Sequence, residues 1–85
     1  MVWQVVWSEK SVKQLKKLDK KNARIIRDRV LDIRDDPYKT TNRLVNVDLY
    51  SLRIGQYRII LDLKREQLII FALSVAKRGR IYDRL

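Results

Sequence analysis

Residues 50–60 read YSLRIGQYRII, and this stretch gives the clearest indication of the fold. Apolar and polar side chains alternate on both sides of Gly55 and Gln56, and this period of two is typical of β-strands with one buried face. A two-residue link that contains glycine is a common connection in a tight β-hairpin. The stretch therefore predicts two antiparallel strands, with Arg53 and Arg58 on the face turned away from the core.

The segment before this hairpin predicts one strand and two helices. An apolar run at residues 2–7 indicates a short, mostly buried strand, and Ser8 after it is a candidate helix N-cap. Residues 9–35 carry apolar side chains at helical spacing, which predicts a helical hairpin. These apolar positions are Val12, Leu15 and Leu18, followed by Ala23, Ile26, Val30 and Ile33. Pro37 is predicted to stop the second helix, because proline disfavours helical backbone in the residue before it.

The remaining segments complete an α+β pattern. Residues 38–48 have no clear period and are predicted to form a loop, while the near-continuous apolar run at 68–75 predicts a last strand inside the sheet. The predicted order is β-α-α-β-β-β, an antiparallel-rich sheet packed on one face by the helical hairpin. A length of 85 residues leaves no room for a second core, so residues 1–85 are predicted to form a single domain.

The charge of the chain indicates a polyanionic partner. Twenty Lys and Arg against ten Asp and Glu leave a net charge of +10, and such a domain attracts nucleic acid. Six lysines between residues 10 and 21 are better interpreted as the solvated face of a helix. They are Lys10, Lys13, Lys16, Lys17, Lys20 and Lys21.

The absence of cysteine and histidine narrows the chemistry. Disulfides, thiol catalysis, cysteine-based zinc sites and Ser–His nucleophile pairs are excluded, and the carboxylates do not cluster, so neither a metal nor another cofactor is expected. No stretch is long and apolar enough to span a bilayer, and the first ten residues lack the pattern of a signal peptide. A cytoplasmic protein without membrane association is therefore expected.

Six residues form the candidate RNA-binding and catalytic site: Arg53, Arg58, Lys77, Arg78, Arg80 and Tyr82. Guanidinium groups bind phosphate in a bidentate way and stay charged, which suits Arg53, Arg58 and Arg78 for stabilising the charge that builds on a phosphate during RNA cleavage. Lys77 and Tyr82 are the candidates for proton transfer, because surrounding positive charge favours loss of their protons. The alternative interpretation is a basic surface that binds RNA without reacting.

Two motifs resemble those of the RelE/ParE toxin superfamily. Residues 50–60 are similar to its Y-x-x-R-x-G-x-Y-R strand–turn–strand signature, and KRGRIY at residues 77–82 is similar to the basic segment, ending in tyrosine, that follows its last strand. The predicted element order and the chain length agree with the superfamily as well. The resemblance implies a RelE-like fold and a toxin of a type II toxin–antitoxin system.

RelE-like members cleave mRNA in the ribosomal A site without a metal, and this stops translation. By resemblance, Arg58 and Arg78 would stabilise the transition state, and Tyr82 would stack on an mRNA base and take part in proton transfer. Ser51 stands where bacterial members carry the lysine favoured as general base, and Arg53 stands where the family often has lysine. Either Lys77 or Arg53 would therefore have to replace that base, or the activity would be low.

The resemblance also implies the partners: a RelB-like antitoxin protein, the ribosome and mRNA. The tyrosine–arginine pair at residues 57–58 is shared with ParE-like members, which inhibit gyrase and cleave nothing. The alternatives are therefore a ParE-like gyrase inhibitor and a degenerate toxin that only binds RNA or its antitoxin. Tyr82 and the basic residues before it favour the RelE-like function.

Overall fold

The computed structural model describes residues 2–77 and contains a five-stranded sheet. The strands are β1 (Gln4–Trp7), β2 (Asn42–Arg43), β3 (Tyr50–Ile54), β4 (Tyr57–Lys64) and β5 (Ile69–Lys77), and the helices are α1 (Glu9–Lys16), α2 (Lys20–Asp32) and α3 (Pro37–Thr40). The strand order is β1-β5-β4-β3-β2, in which β1 runs parallel to β5 and the other neighbours are antiparallel. The predicted α+β class and the antiparallel-rich sheet are confirmed.

The two main helices begin as the sequence predicted, but in the apolar stripe predicted for α1 Leu15 is buried and Val12 is exposed. The Ser8 side chain caps α1, since its hydroxyl oxygen accepts a hydrogen bond from the Ser11 N–H at 3.0 Å. The apolar stripe of α2 faces the sheet, and Ile26 and Val30 are only 1% and 0% exposed. Within the described part of the chain no helix is long and apolar enough to cross a membrane.

One face of the sheet forms the core together with α1 and α2. Alternate residues of the three long strands are buried there, as the period of two requires. They are Leu52, Ile54, Ile59, Leu61, Leu63, Ile70, Ala72 and Val75. No helix between residues 2 and 77 covers the opposite face, which carries Arg53, Arg58, Ile60 and Ser74 and is called the open face below.

Residues 38–48 are not the plain loop that the sequence predicted. Pro37 begins α3, because its fixed φ suits the first helical position, where its missing N–H is not needed. The Thr41 hydroxyl donates a hydrogen bond to the Pro37 carbonyl at 2.7 Å, and Asn42 then pairs with Ser51 to form β2. These two short elements lie between the predicted helices and the predicted hairpin, and the rest of the predicted order stands.

Strand β5 continues past the end of β1 and contains a bulge. Ile60 pairs with Ser74 and the next residue of β4, Leu61, pairs with Ala72, so Leu73 has no partner in β4. The Leu73 carbonyl accepts a hydrogen bond from the Ser8 hydroxyl at 2.8 Å. The start of α1 is therefore attached to the same half of β5 that pairs with the arginine-bearing half of β4.

Candidate nucleic-acid interface

Arg53 and Arg58 lie directly opposite each other on β3 and β4. Opposite residues of an antiparallel pair project from the same face, with their Cβ atoms about 4.5–5.5 Å apart. The Arg53 side chain is exposed and the Arg58 side chain is half-buried. The fold therefore brings two guanidinium groups to one place on the open face.

The turn at Gly55 sets this arrangement. Gly55 has a φ of 56°, in the left-handed region that favours glycine, and it closes the two-residue link between Ile54 and Tyr57. A slip of one residue in the pairing would move every side chain of one strand to the other face. The short link is thus what keeps Arg53 opposite Arg58.

The arginine pair has a clear electrostatic consequence. Two like charges directly opposite each other on a sheet repel, and an anion that binds to both reduces that repulsion. Asp62 is on the same face of β4, four residues from Arg58. Asp62 forms a salt bridge with Lys64 at 3.0 Å. The arginine pair is therefore suited to a ligand with negatively charged oxygen atoms, such as a phosphodiester.

Ser51 is on the open face, two residues before Arg53, but it is not exposed as the sequence suggested. Its exposure is 7%, and its hydroxyl lies 3.5 Å from the Asn42 carbonyl oxygen. The reason is β2, which pairs with this part of β3 and occupies what the sequence predicted as loop. A side chain at position 51 is therefore confined by the neighbouring strand.

Lys77 is the last residue of β5 and is exposed. It pairs with Tyr57, whereas Arg58 pairs with Ala76, so the register places Lys77 and Arg58 on opposite faces of the sheet. The structure brings Arg53 and Arg58 together and separates Lys77 from them. The other predicted site residues, Arg78, Arg80 and Tyr82, lie outside the described residues.

The described residues contain no group of three or more His, Cys, Asp or Glu side chains that could hold a metal ion. A cavity of about 560 Å³ lies at the other end of the sheet, and the sequence did not predict it, because residues 38–48 have the pattern of a loop. There the Tyr38 and Tyr50 rings meet edge to face at 5.4 Å, and the Arg65 guanidinium lies 4.9 Å from the Tyr38 ring centre. This cavity is lined by both acidic and basic side chains, so it lacks the one-sided charge of the arginine pair.

A match to a known protein family covers most of the chain. The family described as the ParE toxin of the type II toxin–antitoxin system parDE matches residues 5–82. No curated protein matches the sequence at a significant level. The match includes both arginines of the open face and extends into the basic segment that follows β5.

Solved structures with the same fold are toxins of RelE type. The toxin–antitoxin complex RelBE2 from Mycobacterium tuberculosis matches with a TM-score of 0.85 and 20% identity, over 92% of this chain and 100% of that chain. The archaeal RelE–RelB complex from Pyrococcus horikoshii OT3 matches with a TM-score of 0.78 and 25% identity, over 94% of this chain and 99% of that chain. The isolated E. coli RelE toxin matches with a TM-score of 0.77 and 21% identity, over 96% of this chain and 93% of that chain. The predicted RelE-like fold is confirmed.

Proposed function

The chain belongs to the family of ParE toxins of type II toxin–antitoxin systems, and we propose that it is a toxin that cleaves mRNA on the ribosome. The observation that carries the proposal is the Arg53–Arg58 pair on the open face of the sheet. Two guanidinium groups at one place are suited to a phosphodiester whose negative charge increases during the reaction.

The proposed reaction is an internal transfer within the RNA. The 2′-oxygen attacks the adjacent phosphorus as the bond from phosphorus to the 5′-oxygen breaks, which yields a cyclic phosphate and a free 5′-hydroxyl. The 2′-hydroxyl loses a proton to a base, and the 5′-oxygen gains one from an acid. Arg53 and Arg58 stabilise the phosphate oxygens, and arginine is a poor base because it stays charged. Tyr82 remains our candidate for proton transfer, with Arg78 and Arg80 as further RNA contacts, whereas Lys77 lies on the other face of the sheet from the arginine pair.

The ribosome has a defined part in this proposal. Attack requires the 2′-hydroxyl to lie in line with the bond that breaks, and two charged side chains on an open sheet do not impose that geometry. Holding reacting groups in line can lower a barrier by about 7–11 kcal/mol. We therefore expect cleavage of mRNA bound to ribosomes and little cleavage of the same RNA alone.

A RelB-like antitoxin is the proposed regulator. The similar structures from M. tuberculosis and P. horikoshii are complexes of a toxin with its antitoxin. We propose the same kind of pairing for this chain, in the cytoplasm, where ribosomes and mRNA are found. The gene for such a partner is expected beside the gene for this chain, and it should encode a short acidic protein.

Inhibition of gyrase is the second candidate function. The observation in its favour is the family match, because the description of that family names the ParE toxin. Such an inhibitor acts by binding a protein and needs no proton transfer to RNA. A degenerate toxin that only binds RNA or its antitoxin is the third possibility.

Two parallel assays separate these functions. Ribosomes programmed with a defined mRNA are incubated with the purified protein, and breaks are mapped by primer extension; the same mRNA without ribosomes is the control. The same protein preparation is added to a gyrase supercoiling assay. Breaks confined to the A-site codon of the ribosome-bound mRNA support our proposal. Loss of supercoiling without RNA breaks would establish the gyrase function, and no effect in either assay would indicate a degenerate toxin.

A further inference from the structure

The open face carries a second pair of opposite side chains at the end away from the arginines. Asp62 of β4 and Phe71 of β5 lie directly opposite each other there. Such partners have their Cβ atoms about 4.5–5.5 Å apart, so a ligand on the Phe71 ring is within reach of the Asp62 carboxylate. The ring is half-buried and does not belong to the core on the other face of the sheet.

The neighbours of the Phe71 ring on this face are apolar. Val6 of β1 pairs with Phe71 from the other side and is 37% exposed. Ile60 of β4 is half-buried on the same face. An aromatic ring among apolar side chains on the open face of a sheet is suited to stacking a nucleic-acid base, as in RNA-binding domains that use a sheet.

The Asp62 carboxylate selects which part of a nucleic acid can lie here. A carboxylate repels phosphate but accepts hydrogen bonds, so this end of the open face favours the edge of a base over the backbone. The Lys64 ammonium lies 3.0 Å from one Asp62 oxygen, yet the Asp62 side chain is still 32% exposed. Because an ionised carboxylate has about four acceptor positions, both oxygens are able to accept from a base as well.

We propose that Asp62 and Phe71 bind a guanine base of the RNA whose phosphate lies at the arginine pair, an inference that rests on the proposed function. Guanine is the RNA base that presents two adjacent N–H donors on one edge, the ring N–H and the 2-amino group, and these match the two oxygens of a carboxylate. Adenine and cytosine present an acceptor beside their amino group, and uracil has its ring N–H between two acceptors.

The base site and the arginine pair are within reach of one RNA strand. Asp62 is four residues from Arg58, and four residues of a β-strand span about 13 Å. A short single strand can therefore place a phosphate at the arginines and a base on Phe71. Guanine at a fixed distance from the cleaved bond would then determine which RNA sequences are cleaved.

The test measures binding, so it does not depend on cleavage. Fluorescence anisotropy gives the affinity of the purified protein for three labelled uridine-rich RNAs that differ at one central position, which is guanosine, inosine or adenosine. Inosine differs from guanosine only by loss of the 2-amino group. We expect the guanosine RNA to bind at least about fivefold more tightly than the adenosine RNA, as a good bidentate contact to a base provides, with the inosine RNA between them.

Three variants locate the contact. Asp62→Asn keeps the shape of the side chain but replaces one acceptor by a donor, so it should remove the preference for guanosine. The matched control is Glu66→Gln, an exposed carboxylate in the turn after β4, which should keep that preference. Phe71→Leu, with its folding checked by thermal unfolding, should bind all three RNAs at least about fivefold more weakly, because stacking contributes to the binding of every base.

Four results would overturn the inference. Equal affinity of wild type for the guanosine and adenosine RNAs would exclude a guanine site. A preference that survives Asp62→Asn, or one that Glu66→Gln also removes, would place the contact elsewhere, and unchanged affinity of Phe71→Leu would exclude stacking on that ring. Guanosine 5′-monophosphate that binds as tightly as the guanosine RNA would make the ligand a free nucleotide.

The ribosome assay tests the proposed function separately. A chain that prefers guanosine but makes no breaks in ribosome-bound mRNA keeps the base site and contradicts the cleavage function. A chain that cleaves ribosome-bound mRNA but binds the three RNAs equally keeps the function and contradicts the base site.

Discussion

The side-chain oxygen of Gln14 in α1 accepts a hydrogen bond from the backbone N–H of Val75 in β5, at 2.6 Å. Strand β1 ends where Trp7 pairs with Ala72, so the outer edge of β5 beyond that point has no strand beside it among residues 2–77. Helix α1 takes the place of the missing strand there. It thereby holds the end of β5 against the half of β4 that carries Arg58.

Replacing Gln14 by alanine should destabilise the fold. The Val75 N–H would lose its partner in a residue that is 5% exposed, and an unsatisfied buried donor costs about 1–3 kcal/mol. Urea denaturation measures the free energy of unfolding. Lys13→Ala, on the exposed surface of the same helix, is the control and should change it by less than about 0.5 kcal/mol. Equal losses from both variants would show that this hydrogen bond does not stabilise the protein.

The turn that aligns the arginines gives a second prediction. A Cβ at Gly55 meets no atom within 4 Å, so only the backbone conformation opposes a side chain there. With a φ of 56°, Gly55→Ala should lower the free energy of unfolding by about 1–2 kcal/mol. Gly55→Asn should lower the free energy of unfolding by less, since asparagine tolerates this region better. Thermal unfolding of the two variants checks the order, and an alanine variant as stable as wild type would contradict it.

Local patterns in the sequence predicted the parts of the fold that near neighbours decide. The helical period of α2 and the alternation around Gly55 depend on residues a few positions apart, and both are confirmed. The parallel pairing of β1 with β5 joins segments more than sixty residues apart in the chain, and no local period encodes it. For the same reason the sequence did not reveal the hydrogen bond from Val75 to Gln14.

The position of Lys77 shows how one residue can change a predicted site. Uninterrupted alternation from Ile70, which faces the core, would place Lys77 on the open face beside the arginines. The extra residue at Leu73 shifts the alternation by one, and Lys77 therefore lies on the other face. Such a bulge cannot be recognised from the sequence in a run of apolar residues, because the side chains on both faces are apolar.

Binding to RNA should weaken as salt increases. If about four cationic groups contact the phosphates of a single strand, the logarithm of the affinity should fall with the logarithm of the salt concentration at a slope of about −3. Fluorescence anisotropy with a labelled single-stranded RNA measures that slope. A flat response would mean that the net charge of +10 only keeps the protein soluble.

Tyr82 is predicted to act mainly through its ring. Stacking of an aromatic ring on a base contributes about 1–3 kcal/mol, and phenylalanine keeps the ring while it removes the hydroxyl. Tyr82→Ala should therefore lose most of the cleavage activity, and the activity of Tyr82→Phe should lie between those of Tyr82→Ala and wild type. A phenylalanine variant as inactive as the alanine variant would make the hydroxyl the acid or base. Normal cleavage by both variants would exclude Tyr82 from the site.

The proposed role of the arginine pair is to stabilise a phosphate during cleavage. It is tested by single-turnover cleavage of ribosome-bound mRNA with Arg58→Ala, because that assay separates the chemical step from binding. The matched control is Lys64→Ala, an exposed cation on the same strand and face, about 20 Å from Arg58.

Loss of one well-placed group that stabilises charge typically lowers a rate by about 10²–10³-fold. We predict a decrease of that size in the cleavage rate of Arg58→Ala at saturating protein, with a much smaller change in affinity for the ribosome and a near-normal rate for Lys64→Ala. Equal rates for Arg58→Ala and Lys64→Ala would contradict the claim that the arginine pair is where the phosphate reacts.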